Sequence, residues 1–265
     1  MSNDVMLPLL PGGQLVERIN KPLRIIAPAL RVAASCYAHE KSLRKQFEKL
    51  YFSAPVPTAH LPYVRIEEAK LYRTAMLPRA IEVRQAWNML DAIRSGGQSI
   101  DTPTVMKMLS VLLKTLAKKK DAAVDPMVLM SYASLFDEDI DSLGSSLNLW
   151  EEVPRHPVVV ALAIQYLFHK QIFSPVPAEL CNACRRVGEM LRQRRRQAAG
   201  WLVRLSEEDA YLFTHARDEW DAYYQDAESR QLAVAFQNVK RTWSDDGNRQ
   251  VLINARDVGL QELGA

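Results

Sequence analysis

Glycine is scarce in this chain. Its ten glycines in 265 residues are about half of what a usage of about 7% would give. That scarcity argues against turn-rich β folds, dinucleotide-binding sheets and glycine-rich phosphate loops. Neither GxxxxGK[ST], nor GxGxxG after a strand, nor HExxH occurs. Cysteine is also rare. Three, an odd number in a long chain, do not make a disulfide framework and point to a reducing cytoplasm. No apolar run approaches the ~18 residues of a membrane span. The opening MSNDVMLPLLPGG has no positive n-region, and Pro8 and Pro11 break its apolar part, so it does not read as a signal peptide. A soluble cytoplasmic protein is expected, with no membrane partner.

What the chain has in quantity is helical periodicity. Nearly half of it is hydrophobic and a quarter charged, the composition of an ordinary globular protein. Leu30, Ala33, Ala34, Tyr37, Leu43, Phe47, Leu50 and Tyr51 recur at three and four, which predicts a helix over 29–53. Its opposite face carries Arg31, His39, Lys41, Arg44, Lys45 and Lys49. Before it, Pro22 and Pro28 interrupt the pattern, and three prolines in 53–62 predict an extended linker. Helix resumes near Ile66, and Pro78 bends or breaks it before Arg79–Arg94. A further helix opens at Thr102-Pro103, presents Val105, Met108, Leu109, Leu112, Leu113 and Leu116, and closes on lysines. Short helices are expected after Asp125-Pro126 and over 138–149. Ser206 with Glu207, Glu208 and Asp209 reads as a capped helix start, and the helix it opens reaches toward Trp243.

No alternating strand is present. The prediction is an all-α, multi-helix bundle of about eight helices with no sheet. Its parts are a basic helical region at 1–54, a linker at 55–65, a central domain at 66–204, and an acidic, aromatic helix and tail at 205–265.

The centre of the chain is the stretch from Pro154 to Arg196. Val158–Phe168 is apolar on every face, so as a helix it must be wrapped by others. A proline-punctuated loop follows, then a second segment that starts apolar and ends in arginines.

Charge comes in blocks. Residues 1–120 hold 19 Lys and Arg against 9 Asp and Glu; 121–184 hold 2 against 9; 185–204 hold 7 against 1; 205–265 hold 6 against 12. Such blocks imply distinct surfaces. Arg185, Arg186, Arg192, Arg194, Arg195 and Arg196 crowd two and a half turns with only Glu189 against them, and close like charges repel. Together with Lys118, Lys119 and Lys120 they are candidates for contacting the phosphates of nucleic acid. Pairing of the same arginines with the acids at 137–152 and 207–221 is the alternative. Trp220, Tyr223 and Tyr224 offer a candidate partner or dimer surface, with a core stripe as the stronger alternative.

Catalytic chemistry finds no foothold. The five histidines, 39, 60, 156, 169 and 215, sit on separate elements without metal-ligand spacing. Asp137-x-Asp139-x-Asp141 starts like a calcium loop, yet Ser142 and Asn148 stand where that loop needs glycine and glutamate. Cys181-x-x-Cys184 is a lone pair of small apolar residues one turn apart. Neither an enzyme nor a cofactor or metal site is expected.

One family resemblance emerges. The apolar helix Val105–Leu116 precedes Asp125 and Tyr132-x-x-Leu135. A short acidic helix then leads to Trp150, Pro154 and Pro157. The block closes with Phe173-x-Pro175-x-Pro177-Ala178-Glu179-Leu180-x-x-x-Cys184. In these pieces residues ~101–196 resemble the small helical domain of phage and prophage replication-associated proteins of the helicase-loader type. The resemblance implies a non-enzymatic adaptor that binds a replicative helicase or similar protein partner at an origin complex. The reading is therefore an adaptor that meets nucleic acid, or a DNA-bound replication partner, through basic helix faces. A protein-binding scaffold using the C-terminal aromatic helix is the alternative.

Overall fold

The computed structural model describes residues 14–51, 61–95, 102–116, 153–154, 156–170, 177–218, 220, 230–231 and 234–235. Of these, 96% are helical and none is in a strand, so the fold is all-α. The helices are α1 (Gln14–Tyr51), α2 (Leu61–Met76), α3 (Ala80–Arg94), α4 (Thr102–Leu116), α5 (Pro157–Lys170) and α6 (Pro177–His215). A 3-10 turn, Leu77–Arg79, joins α2 to α3 without a gap, so five continuous helical runs are described rather than about eight. No helix is long and apolar enough to cross a membrane among the described residues.

Part of the difference lies in two expected helices, after Asp125 and over 138–149, that fall outside the described residues; the rest comes from breaks that did not form. Pro22 and Pro28 lie inside α1, and the helix runs through both. An interior proline costs about 3 kcal/mol, from a lost bond and a clash one turn back. Here Pro28 is exposed and Pro22 half-buried, so water can reach the carbonyls they free. Ile19, Leu23, Ile26, Ala27, Ala29 and Leu30 are buried on the other side, and that burial outweighs the loss. In the same way α2 begins at Leu61, five residues before the expected start. Pro62 falls in the first turn, where its missing N–H is no loss.

The third missing break is at Gly200 and Ser206. Both lie within α6, and Ser206 caps nothing because the helix is already under way. Pro78, by contrast, does interrupt helix as expected. The Ala80 N–H bonds back to the Leu77 carbonyl in the 3-10 turn. The predicted helices after Asp125 and over 138–149, the segment 53–60 and the tail beyond 235 fall outside the described residues.

Two compact units form, and they interleave along the chain. One comprises Met1–Arg31 and Met89–Arg194, the other Val32–Asn88 and Arg195–Ala265. In the first unit α5 is the centre. Val158 through Gln165 are buried in unbroken succession, and Leu167 after them, as a helix apolar on every face requires. Each large apolar side chain there contributes about 1.5–3 kcal/mol on full burial. α4 packs against α5. The α6 stretch of this unit is drawn close to Val153, whose methyls would sit 3.1 Å from a Cβ added at Gly188. Only glycine leaves that approach undisturbed.

In the second unit the core comprises Cys36, Leu43 and Phe47 of α1, Tyr72 and Met76 of α2, Val83 and Trp87 of α3, and Trp201, Leu202 and Leu205 of α6. Trp201 is the largest side chain fully removed from solvent.

Candidate nucleic-acid interface

Among the described residues, charge divides into an inward set, where acids pair with arginines, and an outward set, where cations are in excess. The inward set lies in the second unit, where α2 meets α6. Residues 65, 68, 72 and 73 recur at helical spacing on α2, and 204, 208, 209, 211 and 212 do so on α6. Arg65 donates through Nη1 to Glu208 Oε2 at 2.5 Å and approaches Glu68 Oε2 at 3.4 Å. Arg204 Nη2 donates to Glu68 Oε1 at 3.2 Å. Arg204 Nε also lies 2.6 Å from Glu208 Oε1, but without hydrogen-bond alignment. It is an ion pair by proximity only. Arg73 pairs with Asp209 at 3.4 Å, and both are almost wholly buried.

Aromatic rings complete the arrangement. The Arg65 guanidinium lies 4.4 Å from the Tyr211 ring centre, and that of Arg204 lies 4.7 Å from Tyr72, at cation–π range. Three arginines thus face three carboxylates. Burial pushes the Glu208 carboxyl up, against the Arg65 hydrogen bond and the Arg204 charge. For Arg65 burial also opposes the charged form, but the Glu208 bond and charge outweigh it and the guanidinium moves up. The two groups respond differently because Glu208 has no exposed surface, while the Arg65 side chain is 32% exposed.

Glu207, Glu208 and Asp209 are therefore not helix-start acids. Glu208 and Asp209 lie buried about two turns from the C-terminal end of α6, far from its positive end.

The outward set tests the arginine run. Arg186, Arg192 and Arg196 are exposed, Arg185 and Arg194 half-buried, and Arg195 buried. A helix places successive residues 100° apart, so six arginines within twelve positions must spread around its circumference. Burial lowers the pKa of Arg194. Arg186 is held in place: its Nη1 donates to the Tyr166 hydroxyl at 2.6 Å, with its guanidinium 5.9 Å from that ring. The run is thus not one cationic cluster. Its outward members are Arg186, Arg192 and Arg196.

Pairing decides the sign of what is left. Among the described residues of the first unit, Lys21, Arg31, Lys107 and Arg186 are exposed and make no ion pair, and one exposed acid, Glu189, stands likewise. In the second unit Lys41, Lys45, Arg196 and Arg230 stand likewise, against Asp218. The other exposed acids whose pairs are defined, Glu17, Glu48 and Glu82, neutralise Arg24, Arg44 and Arg79.

Sequence periodicity missed one residue here. Tyr37, expected on the inward face of α1, is 59% exposed. The buried stripe runs through Ala33, Cys36, Leu43 and Phe47. Tyr37 follows Cys36 and falls 100° away from it. The available signal was the clean spacing of Ala33, Cys36 and Leu43, which does not need the tyrosine.

The other expected residues divide. Trp220 is buried against Leu212 and Ala69, edge-to-face with Phe213 at 4.9 Å and with Arg217 5.0 Å from its ring centre. Its surface is covered by this chain itself. Tyr223, Tyr224, Lys118, Lys119 and Lys120 lie outside the described residues. Cys181 and Cys184 are buried one turn apart, and burial raises both thiols. Cys36 is buried too and pushed up to about 12, which leaves it without thiolate character. Compared with family models, with curated proteins and with solved structures, the chain matches none.

Proposed function

We propose that this protein is a non-enzymatic, cytoplasmic helical adaptor that contacts nucleic acid through exposed basic helix faces. One observation carries the reading. Among the described residues of each unit, the exposed charge left over after ion pairing is cationic by about four to one, because most of the described acids are engaged with arginines of the same chain. Cations that the fold does not neutralise are available to release counterions from phosphates. The Arg186 guanidinium, braced on Tyr166, has already lost part of the side-chain freedom that a phosphate contact would cost.

The role of such an adaptor, bringing a DNA-bound replication partner into contact, rests on the helicase-loader resemblance of residues ~101–196. Binding of labelled DNA, followed by fluorescence anisotropy across a salt series, tests the nucleic-acid half. Expected is binding at ~50 mM salt that weakens with a log–log slope near −0.9 for each phosphate neutralised on duplex. No detectable binding at that salt overturns the proposal.

A further inference from the structure

We infer that the face of α1 bearing Tyr37, Lys41 and Lys45 is a contact surface for single-stranded nucleic acid, with the Tyr37 ring as a base-stacking platform. This deepens the reading just given by naming a ligand class and a site, and it rests on that reading.

The three residues stand one turn apart, at i, i+4 and i+8. Such positions stay within about 80° of arc and ~12 Å of axial length on an α-helix. Tyr37 is 59% exposed and is in contact with no ring of a described residue. Lys41 and Lys45 are exposed and make no ion pair with a described residue. Glu48 falls on the same arc but is engaged by Arg44 at 3.0 Å, and Glu40, at the margin of the face, is half-buried. A lone exposed aromatic needs no explanation. Beside two uncompensated lysines, however, it matches what a single strand presents: a phosphate backbone for the cations and an unstacked base for the ring.

Duplex does not fit this face as well. Its bases are stacked on one another and leave no π-face for Tyr37. An acidic polypeptide could meet the lysines, but it would leave the ring unused.

The test uses the full chain and labelled oligonucleotides of about 20 nucleotides, longer than the ~4–16 that one strand-binding module covers. Oligo(dT), oligo(U) and a duplex of equal length are titrated at ~50 mM salt, with polyglutamate as competitor. Tighter binding of the single strands than of the duplex is expected, and the two single-strand arms decide between DNA and RNA. Tyr37→Ala should weaken single-strand binding about tenfold while leaving duplex affinity and the salt slope unchanged. Tyr37→Phe should retain the wild-type affinity. Lys41→Gln with Lys45→Gln should reduce the single-strand salt slope by about 1.4, since each phosphate contact contributes about 0.7.

Wild-type binding that is indifferent to Tyr37→Ala, or equally reduced by it on duplex, overturns this inference and leaves the broader reading standing. So does equal competition by polyglutamate. Failure of the wild type to bind any of the three nucleic acids overturns both. Because Tyr37 is largely exposed, the variants should melt with the wild type, and circular dichroism checks that the comparison is between folded proteins.

Discussion

A single histidine at the start of α5 shows how much can rest on one side chain. The Val158 N–H donates to His156 Nδ1 at 3.2 Å, and the Val159 N–H to the His156 carbonyl at 3.0 Å. His156 thus occupies the cap position, and its ring supplies the acceptor that Ser, Thr, Asp or Asn usually provides. The neutral tautomer is the one with the proton on Nε2, as that bond requires. Protonation would remove the acceptor and place a positive charge at the positive end of the helix. Burial already holds the ring below its ordinary pKa of 6.5. Above 6.5 neither folded nor unfolded chain carries the proton. As pH falls below 6.5 the unfolded chain takes it up first, and stability is lost until the folded ring titrates too. His39, lowered by its own burial and by the nearby Arg79 charge, adds in the same direction. The raised Glu208 carboxyl works the other way and gains stability on acidification. Thermal melts at pH 7.5 and 5.5 should therefore show a wild-type loss that His156→Asn partly removes, because asparagine keeps an acceptor that does not titrate. An unchanged loss in that variant would show that His156 is not the titrating cap.

At the scale of elements, the α2–α6 seam of the second unit holds charge that hydrophobic packing would not miss in volume but would miss in pairing. Glu208 has no exposed surface and Arg65 is only a third exposed, so removing one partner leaves the other poorly solvated. Arg65→Met and Glu208→Gln should each destabilise by about 2–4 kcal/mol. The double variant should cost less than their sum, with a coupling of about 1–3 kcal/mol in denaturant melts. Additive costs would mean that the close approach carries no energy. This seam was not legible in the sequence, and the reason is physical. Local spacing shows which face a residue shares with its neighbours, but not which distant helix meets that face. Glu208 reads as a capping acid until Arg65, 143 positions away, is seen beside it. The same limit applies to Tyr37, Pro22 and Pro28, whose fates depend on what packs across from them. Where the deciding term is local, the sequence sufficed. The Thr102-Pro103 start, the Pro78 interruption and the all-round burial of Val158–Ile164 all follow from the chain's own pattern. The arginine run is intermediate: its composition is plain, but helical rotation turns Arg195 inward and leaves Arg186 and Arg196 outside.

Across the whole molecule, pairing inside and imbalance outside predict that folding and binding respond to salt differently. The pairs that join separate helices, Arg65–Glu208, Arg204–Glu68 and Arg73–Asp209, are largely shielded from water, and buried pairs are screened far less than exposed ones. Among the described residues, by contrast, the exposed unpaired cations of each unit outnumber the exposed unpaired acids, and like charges on one surface repel. Raising salt from ~50 to ~500 mM shortens the reach of that repulsion several-fold. The melting temperature should therefore hold or rise by a few degrees, since a domain shifts by about 2–4 °C per kcal/mol at this size. Nucleic-acid affinity over the same range should fall about a thousandfold if three or four phosphates are neutralised. The two readouts then move in opposite directions in one buffer series. A melting temperature that drops steeply with salt would mean that exposed ion pairs hold the fold together. The surface would then owe its cations to stability, and an anionic partner would no longer be needed to account for them.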